Sequence, residues 1–236
     1  MLNNFILNNS LTVCLFHIFI VTKVILFDIG GVLINWKDEW LYQEISKQLQ
    51  IPFEKIESKF NAHLCSLFES KINEKEFWNL VLGSDNKIDH KIISKTFLKM
   101  SSINYDFLNF AKSLKNNGHH IGILSNLTPE TSTCIPKSLL DDFDYLFYSN
   151  SLKMSKPNAV IYEHVCLKIP SKNILFIDDK QENLDAAKLF GIDTILFTFS
   201  DFSTGIIYEK ITNFIKKGLL DFNFLEGLFL FYIFKM

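Results

Sequence analysis

The sequence contains no arginine: all 24 of its basic residues are lysines. A planar guanidinium fork for a carboxylate or phosphate is therefore excluded. Any bound anion must be held by lysine, hydroxyls, backbone N–H groups or a metal ion. Cysteine is scarce, with four scattered residues (Cys14, Cys65, Cys134, Cys166) and no C-x-x-C pair. That excludes zinc knuckles and dithiol redox motifs, and free thiols in a reducing, cytoplasmic location are expected. An excess of one charge is also missing. The formal net charge is −2, so neither nucleic acid nor an acidic membrane surface is an expected partner. Long apolar runs are lacking as well. Residues 11–21, interrupted by Thr12 and His17, are too short to span a bilayer and have no basic n-region or clear cleavage site. Residues 219–236 are rich in Phe and Leu but carry Asp221, Asn223 and Glu226, and burying such carboxylates in lipid costs about 2.5 kcal/mol or more each. No stable membrane span is expected. A hydrophobic helix packing on the domain or on a partner fits better, and a homodimer is compatible with it.

What is present is globular. The 236 residues are 48% hydrophobic and 21% charged, which fits one large domain or a domain with an insert. The 24 phenylalanines, with abundant Asn, Ile and Lys, are read as the bias of an A/T-rich coding sequence. Val24–Phe27 is an all-apolar run ending at Asp28 and a Gly30-Gly31 turn, the pattern of a buried parallel strand. Similar runs cover 120–124, ending at Ser125-Asn126, then 173–177, ending at Asp178-Asp179, and 194–197. Residues 145–148 add a fifth strand. Helical patterns at 107–115, 158–167 and 181–190 lie between them. This alternation predicts an α/β fold, a Rossmann-like parallel sheet wrapped by helices. Residues 37–102 interrupt it with helical patterns at 39–49, 53–68, 73–82 and 90–100 and no strand pattern. They are expected to form an inserted all-helical cap over the strand ends. The expected organisation is an N-terminal extension (1–20), a core (21–36 and 103–215), the cap (37–102) and a C-terminal extension (216–236).

In such sheets ligands bind outside the carboxyl ends of the strands, where Asp28, Ser125, Asn126, Asp178 and Asp179 fall. A strand-end carboxylate such as Asp28 is able to attack phosphorus and form an aspartyl-phosphate. Asp178 and Asp179, with Asn183 four residues on, supply hard oxygen ligands suited to Mg²⁺. Ser125 and Asn126 offer a hydroxyl, an amide and backbone N–H groups to phosphate oxygens. Lys156, beside Pro157, places one cation against a phosphate and the attacking carboxylate. Taken singly, each is an ordinary cap, turn or surface charge; their placement at successive strand ends carries the reading. Asp38, Glu39 and Glu69 are expected to be helix-surface charges, and His119-His120 a turn and strand start.

Phe27-Asp28-Ile29-Gly30-Gly31-Val32-Leu33, Ile123-Leu124-Ser125-Asn126, Ser155-Lys156-Pro157 and Phe176-Ile177-Asp178-Asp179 with Asn183 resemble, in order, the four motifs of the haloacid dehalogenase superfamily. Lys156-Pro157 followed by Ile161-Tyr162, with the helical insert, resembles its small-helical-cap branch, which includes glucose-1-phosphate phosphatases. The resemblance covers residues 21–200. It implies a Mg²⁺-dependent phosphatase acting on a small phosphorylated metabolite, a sugar phosphate above all. Asp28 would be the nucleophile and Asp28, Asp179 and the Gly30 carbonyl would bind Mg²⁺, with Asp178 and Asn183 close by. Ser125, Asn126 and Lys156 would bind phosphate.

One residue departs from the family pattern. Most phosphatases of the superfamily carry Asp two residues after the nucleophile as general acid and base, and Gly30 stands there. General acid–base help is worth roughly 10²–10⁴-fold, so a substrate with a good leaving group would suffer least. The alternative is a weakly active or inactive phosphate- or partner-binding protein. Carbon–halogen hydrolysis is disfavoured, because enzymes of that type lean on Arg.

Overall fold

The computed structural model describes residues 22–171 and 173–217. The apolar run at 11–21 and all of the C-terminal Phe-rich segment from 219 lie outside them. Five parallel strands form one sheet: β1 (Val24–Phe27), β4 (His120–Ser125), β5 (Tyr145–Tyr148), β6 (Ile174–Asp178) and β7 (Asp193–Leu196), in the order β5-β4-β1-β6-β7. β1 lies at the centre, with Phe27 opposite Ile123 of β4 and Ile177 of β6. That register brings the residues following three strands to one rim. Side chains alternate across a strand, and the sheet is covered on both faces. Ile25, Phe27, Ile121, Ile123, Leu175 and Ile177 enter one core, with α5 (Tyr105–Asn116) and the helical residues 206–217. Val24, Leu26, Leu124, Ile174 and Phe176 enter the other, with α9 (Ala159–Lys168) and α10 (Gln181–Lys188). Gly122 is required at the sheet centre: a Cβ there would lie 2.7 Å from Leu26 Cδ2 and 2.9 Å from Tyr145 Cβ.

Between β1 and β4 the chain builds the cap from α1 (Asp38–Leu49), a 3₁₀ turn (Phe53–Lys55), α2 (Glu57–Phe68), α3 (Glu74–Leu82) and α4 (Ile92–Met100). It has its own core of Leu41, Ile45, Phe60, Leu67, Phe77 and Trp78. The single helix expected over 53–68 is broken at Ile56, because Phe53 turns back to stack on Tyr42 with ring centroids 4.0 Å apart. Within 37–101 every regular element is a helix, as expected, and two short strands flank the insert. β2 (Ile34–Asn35) pairs antiparallel with β3 (Ser102–Ile103), closing the base of the insert. Two residues are too few to show a period of two. The core also carries four further short helices, α6 (Pro129–Cys134), α7 (Lys137–Leu140), α8 (Ser149–Leu152) and α11 (Phe199–Ser203). Asn73 begins α3 with a full capping box, accepting from the Glu76 N–H while the Glu76 carboxylate accepts from Asn73 N–H, each at 2.9 Å. Among the described residues no helix is long and apolar enough to cross a membrane.

The cap rests on the core through apolar contacts of Phe97, through polar contacts, and beside one buried carboxyl. α4 packs against α6, and Glu74 at the head of α3 is only 3% exposed. Neither of its carboxylate oxygens finds a well-formed hydrogen bond among the described residues. Burial pushes its pKa up to about 8, with Glu130 and Asp89 adding and Lys91 opposing. An unfolded Glu titrates near 4.5, so folding takes up a proton throughout that interval. Stability is intact below the unfolded value and declines as pH rises toward the folded one. The Tm of Glu74→Gln relative to wild type is therefore expected to climb from pH 5 to pH 8, with ~pH 8 marking the plateau. A Tm difference that stays flat across that range would show that Glu74 ionises normally.

Candidate active site

Asp28 follows β1, Ser125 ends β4, and Asp178 ends β6 with Asp179 after it. Parallel pairing of β1 with both neighbours puts these side chains at one rim. Lys156 arrives from the loop before α9 and crosses beneath them, 2% exposed. Its ammonium lies 2.6 Å from Asp178 Oδ2 and 3.1 Å from Asp28 Oδ1, and donates to the Leu124 carbonyl at 3.0 Å. The Phe176 ring lies below it, 5.1 Å from centroid to nitrogen. Burial alone would strip its proton, but Asp178 and Asp28 outweigh burial and hold its pKa above the usual lysine value.

Asp28 Oδ1 also accepts from the Ile29 N–H at 2.8 Å. Burial is the largest influence on this carboxyl and raises its pKa, Asp178 adds to that, and Lys156 and Ser125 oppose. Asp179 is pushed up to about 7, first by burial, then by Asp28 and Asp178. Oxygens of Asp28, Asp178 and Asp179 lie within 4.8 Å of one another. Three carboxylates, Asp28 and Asp178 buried and Asp179 open to the cavity, thus face one buried ammonium. This set of hard oxygen donors, short of positive charge, fits a divalent cation of the Mg²⁺ class.

The predicted residues meet at this rim, but not all in the expected way. Both oxygens of Asp178 are occupied: Lys156 and the Asn183 amide reach Oδ2 at 2.6 and 3.0 Å, and the Lys180 N–H and the Asn183 amide reach Oδ1 at 2.7 and 3.1 Å. Asn183 therefore faces Asp178, and Tyr162 fixes its backbone by donating to its carbonyl at 2.8 Å. The Asn126 side chain was expected to face phosphate. It is instead clamped to the backbone of Lys156, accepting from its N–H at 2.9 Å and donating to its carbonyl at 2.8 Å. Ser125 is buried next to Asp28.

Further contacts complete the rim, among them Trp36 and Lys180, which the sequence did not single out. Gly31 has φ +78°, and a Cβ on it would stand 2.2 Å from Asp179 Oδ2. Glycine thus serves both the turn and the approach of the carboxylate. The space beside Gly30 is filled by Trp36, whose Cδ1 would be 3.5 Å from a Cβ there. Trp36 Nε1 donates to Asp38 at 3.0 Å, and Asp38 pairs with Lys180 at 2.7 Å. Glu69, expected on a solvated surface, is buried at the end of α2 and accepts from Ser155 at 2.9 Å, next to Lys156. No periodicity marks such a contact, since its partner lies 86 residues away. His120 does begin β4, with His119 just before it.

A family model for haloacid dehalogenase-like hydrolases matches residues 22–191. A drimenol cyclase of Aspergillus calidoustus is 26% identical over 77% of this chain, which spans only 35% of that relative's length. A sesquiterpene phosphatase of Aspergillus oryzae is 25% identical, over 72% of this chain and 87% of that protein. Among solved structures, the magnesium complex of a HAD family enzyme from Bacteroides thetaiotaomicron is similar, with a TM-score of 0.62 and 25% identity, covering 75% of this chain and 94% of that one. A variant of that enzyme, in complex with magnesium and inorganic phosphate, is 26% identical with a TM-score of 0.61 and the same coverage.

Lys156 is the one ammonium buried among these carboxylates in the described residues. Replacing it should leave two buried charges facing each other, a loss of about 3–5 kcal/mol. We expect Lys156→Met to lower urea-unfolding stability by that amount in chelator at neutral pH. Lys188→Met, which removes an exposed pair with Asp185, should change stability little. Equal losses for the two variants would contradict the electrostatic account.

Proposed function

Because this chain belongs to the haloacid dehalogenase-like hydrolases, we propose that it is a Mg²⁺-dependent phosphatase acting on a small phosphorylated metabolite, with Asp28 as nucleophile. The observation that carries the proposal is the pairing of Lys156 with both Asp28 and Asp178 beside Asp179. The phosphatase named among the relatives, and the magnesium and phosphate complexes of the similar Bacteroides enzyme, support it.

Asp28, Asp179 and the Gly30 carbonyl would hold the cation, with Asp178 and Asn183 behind them. When bound, the cation would neutralise phosphate charge and lower the carboxyl pKa values of its ligands. Lys156 opposes the burial that raises the Asp28 pKa, aims its carboxylate, and places positive charge where the phosphoryl group must approach. Ser125 adds a hydroxyl for a phosphate oxygen. The Asp28 carboxylate attacks phosphorus, the ester P–O bond breaks, and the leaving oxygen keeps the bonding electrons and takes a proton. Water then attacks phosphorus of the acyl phosphate, restoring the Asp28 carboxylate and releasing inorganic phosphate.

Gly30 leaves no carboxyl to deliver that proton. This favours the second reading, a weak or inactive phosphate-binding member, and makes the leaving group decisive. A Cβ at Gly30 meets only ordinary contacts, so Gly30→Asp is sterically tolerable. Phosphate release from p-nitrophenyl phosphate and acetyl phosphate should require Mg²⁺ and disappear in Asp28→Asn. No release from either, together with no Mg²⁺-dependent thermal shift by beryllium fluoride, would establish the second reading. Gly30→Asp should speed hydrolysis of alkyl phosphates, whose leaving groups need a proton, by about 10²-fold and change acetyl phosphate little. Equal effects on both substrates would assign the proton to another group.

A further inference from the structure

We propose that the alcohol half of the substrate is apolar, a phosphate ester of a medium-length aliphatic alcohol and not a sugar phosphate. This rests on the phosphatase reading above and narrows it. The carboxylate rim forms the floor of a cavity of about 440 Å³, within the range of small-molecule sites. A phosphate and its cation fill only part of such a volume. The lining is uneven, with α2 and α4 apolar and α1 mixed. Hydrogen-bonding side chains come from the floor, as already described, with Thr128 and Thr131 beside it, and from the mouth. At the mouth Lys37, Glu39 and Glu182 are exposed, while Asp38 and Lys180 are spent on each other.

Above the floor the wall is apolar. α2 contributes Phe60, Leu64 and Phe68, α4 contributes Ile93 and Phe97, and α1 contributes Leu41. The remaining lining residue of α2 is Cys65, a weak hydrogen-bond partner. Neither α2 nor α4 offers the cavity a hydroxyl, amide or charge. The polar exception on the wall is Tyr42 of α1, whose ring is stacked against Phe53. Along α2 and α4 sugar hydroxyls would lose water without gaining partners, whereas methylenes would gain by leaving water. Leu64 and Phe68 keep accessible surface and are the side chains expected to set chain-length preference.

In the reaction the ester oxygen keeps the P–O electrons and takes a proton from solvent, and water then attacks phosphorus of the aspartyl-phosphate and returns a proton to solvent, so that ester and water give alcohol and inorganic phosphate.

The full chain should be assayed in Mg²⁺ against ethyl through decyl phosphate, glucose 1-phosphate and p-nitrophenyl phosphate. kcat/KM is expected to rise about fourfold per methylene until the cavity is filled, and to exceed that for glucose 1-phosphate. Leu64→Gln should flatten the rise. A flat alkyl series, or a preference for glucose 1-phosphate, with p-nitrophenyl phosphate still turned over, would overturn the apolar assignment while leaving the phosphatase reading intact. Binding of the matching alkylphosphonates, read by thermal shift, tests the cavity without turnover. Affinity independent of chain length would overturn the assignment even in an inactive protein, and affinity that grows with length and is lost in Leu64→Gln would uphold it.

Discussion

Everything at the rim is arranged around one electrostatic imbalance, three carboxylates against a single buried ammonium. Lys156 stands between Asp28 and Asp178, and desolvation that would neutralise any one of these groups is opposed by the others. Satisfying Asp178 consumes Lys156, the Asn183 amide and the Lys180 N–H. Asp28 and Asp179 remain short of positive charge, and both titrate above the ordinary aspartate range. A cation bound between Asp28 and Asp179 would offset the mutual repulsion of these carboxylates. Binding and folding are linked through the same residues.

The clamps around that cluster explain parts of the chain remote from the chemistry. Asn126 fixes the Lys156 backbone from two sides, Ser155 beside it is held by Glu69 of the cap, and Tyr162 fixes Asn183. The lysine is therefore set by the cap as well as the core. Ser149 makes the same connection, donating to the Phe68 carbonyl at 2.9 Å. A cap anchored next to the charge centre couples the position of α2, and with it the apolar wall, to the geometry of the ammonium.

Strand-end chemistry was legible in the sequence because it follows from a short-range rule. An all-apolar run such as Val24–Phe27 or Ile174–Ile177 is a buried parallel strand, and the polar residue after it falls at the rim. Asp28, Ser125, Asp178 and Asp179 are placed together by that rule and by parallel register. The cap helices were legible by period. Partner choice was not. Whether Asn126 turns to a ligand or to the Lys156 backbone, and whether Glu69 is solvated or buried, depends on contacts 30 and 86 residues away. The two-residue strands β2 and β3 carry no pattern to read, and the break at Ile56 is set by a ring stacked from α1.

Gly30 and the apolar wall are two aspects of one constraint. The volume beside Gly30 belongs to the Trp36 indole, which packs on Phe97 of α4 with centroids 5.4 Å apart. The indole carries the apolar surface of the cap down to the edge of the carboxylate floor. Losing the carboxyl removes a proton donor and at the same time extends an unbroken apolar surface to the reacting centre. An enzyme handling polar alcohols would gain little from that exchange. One handling apolar alcohols gains contact along the whole length of its substrate, and the protonation of the leaving oxygen falls to water.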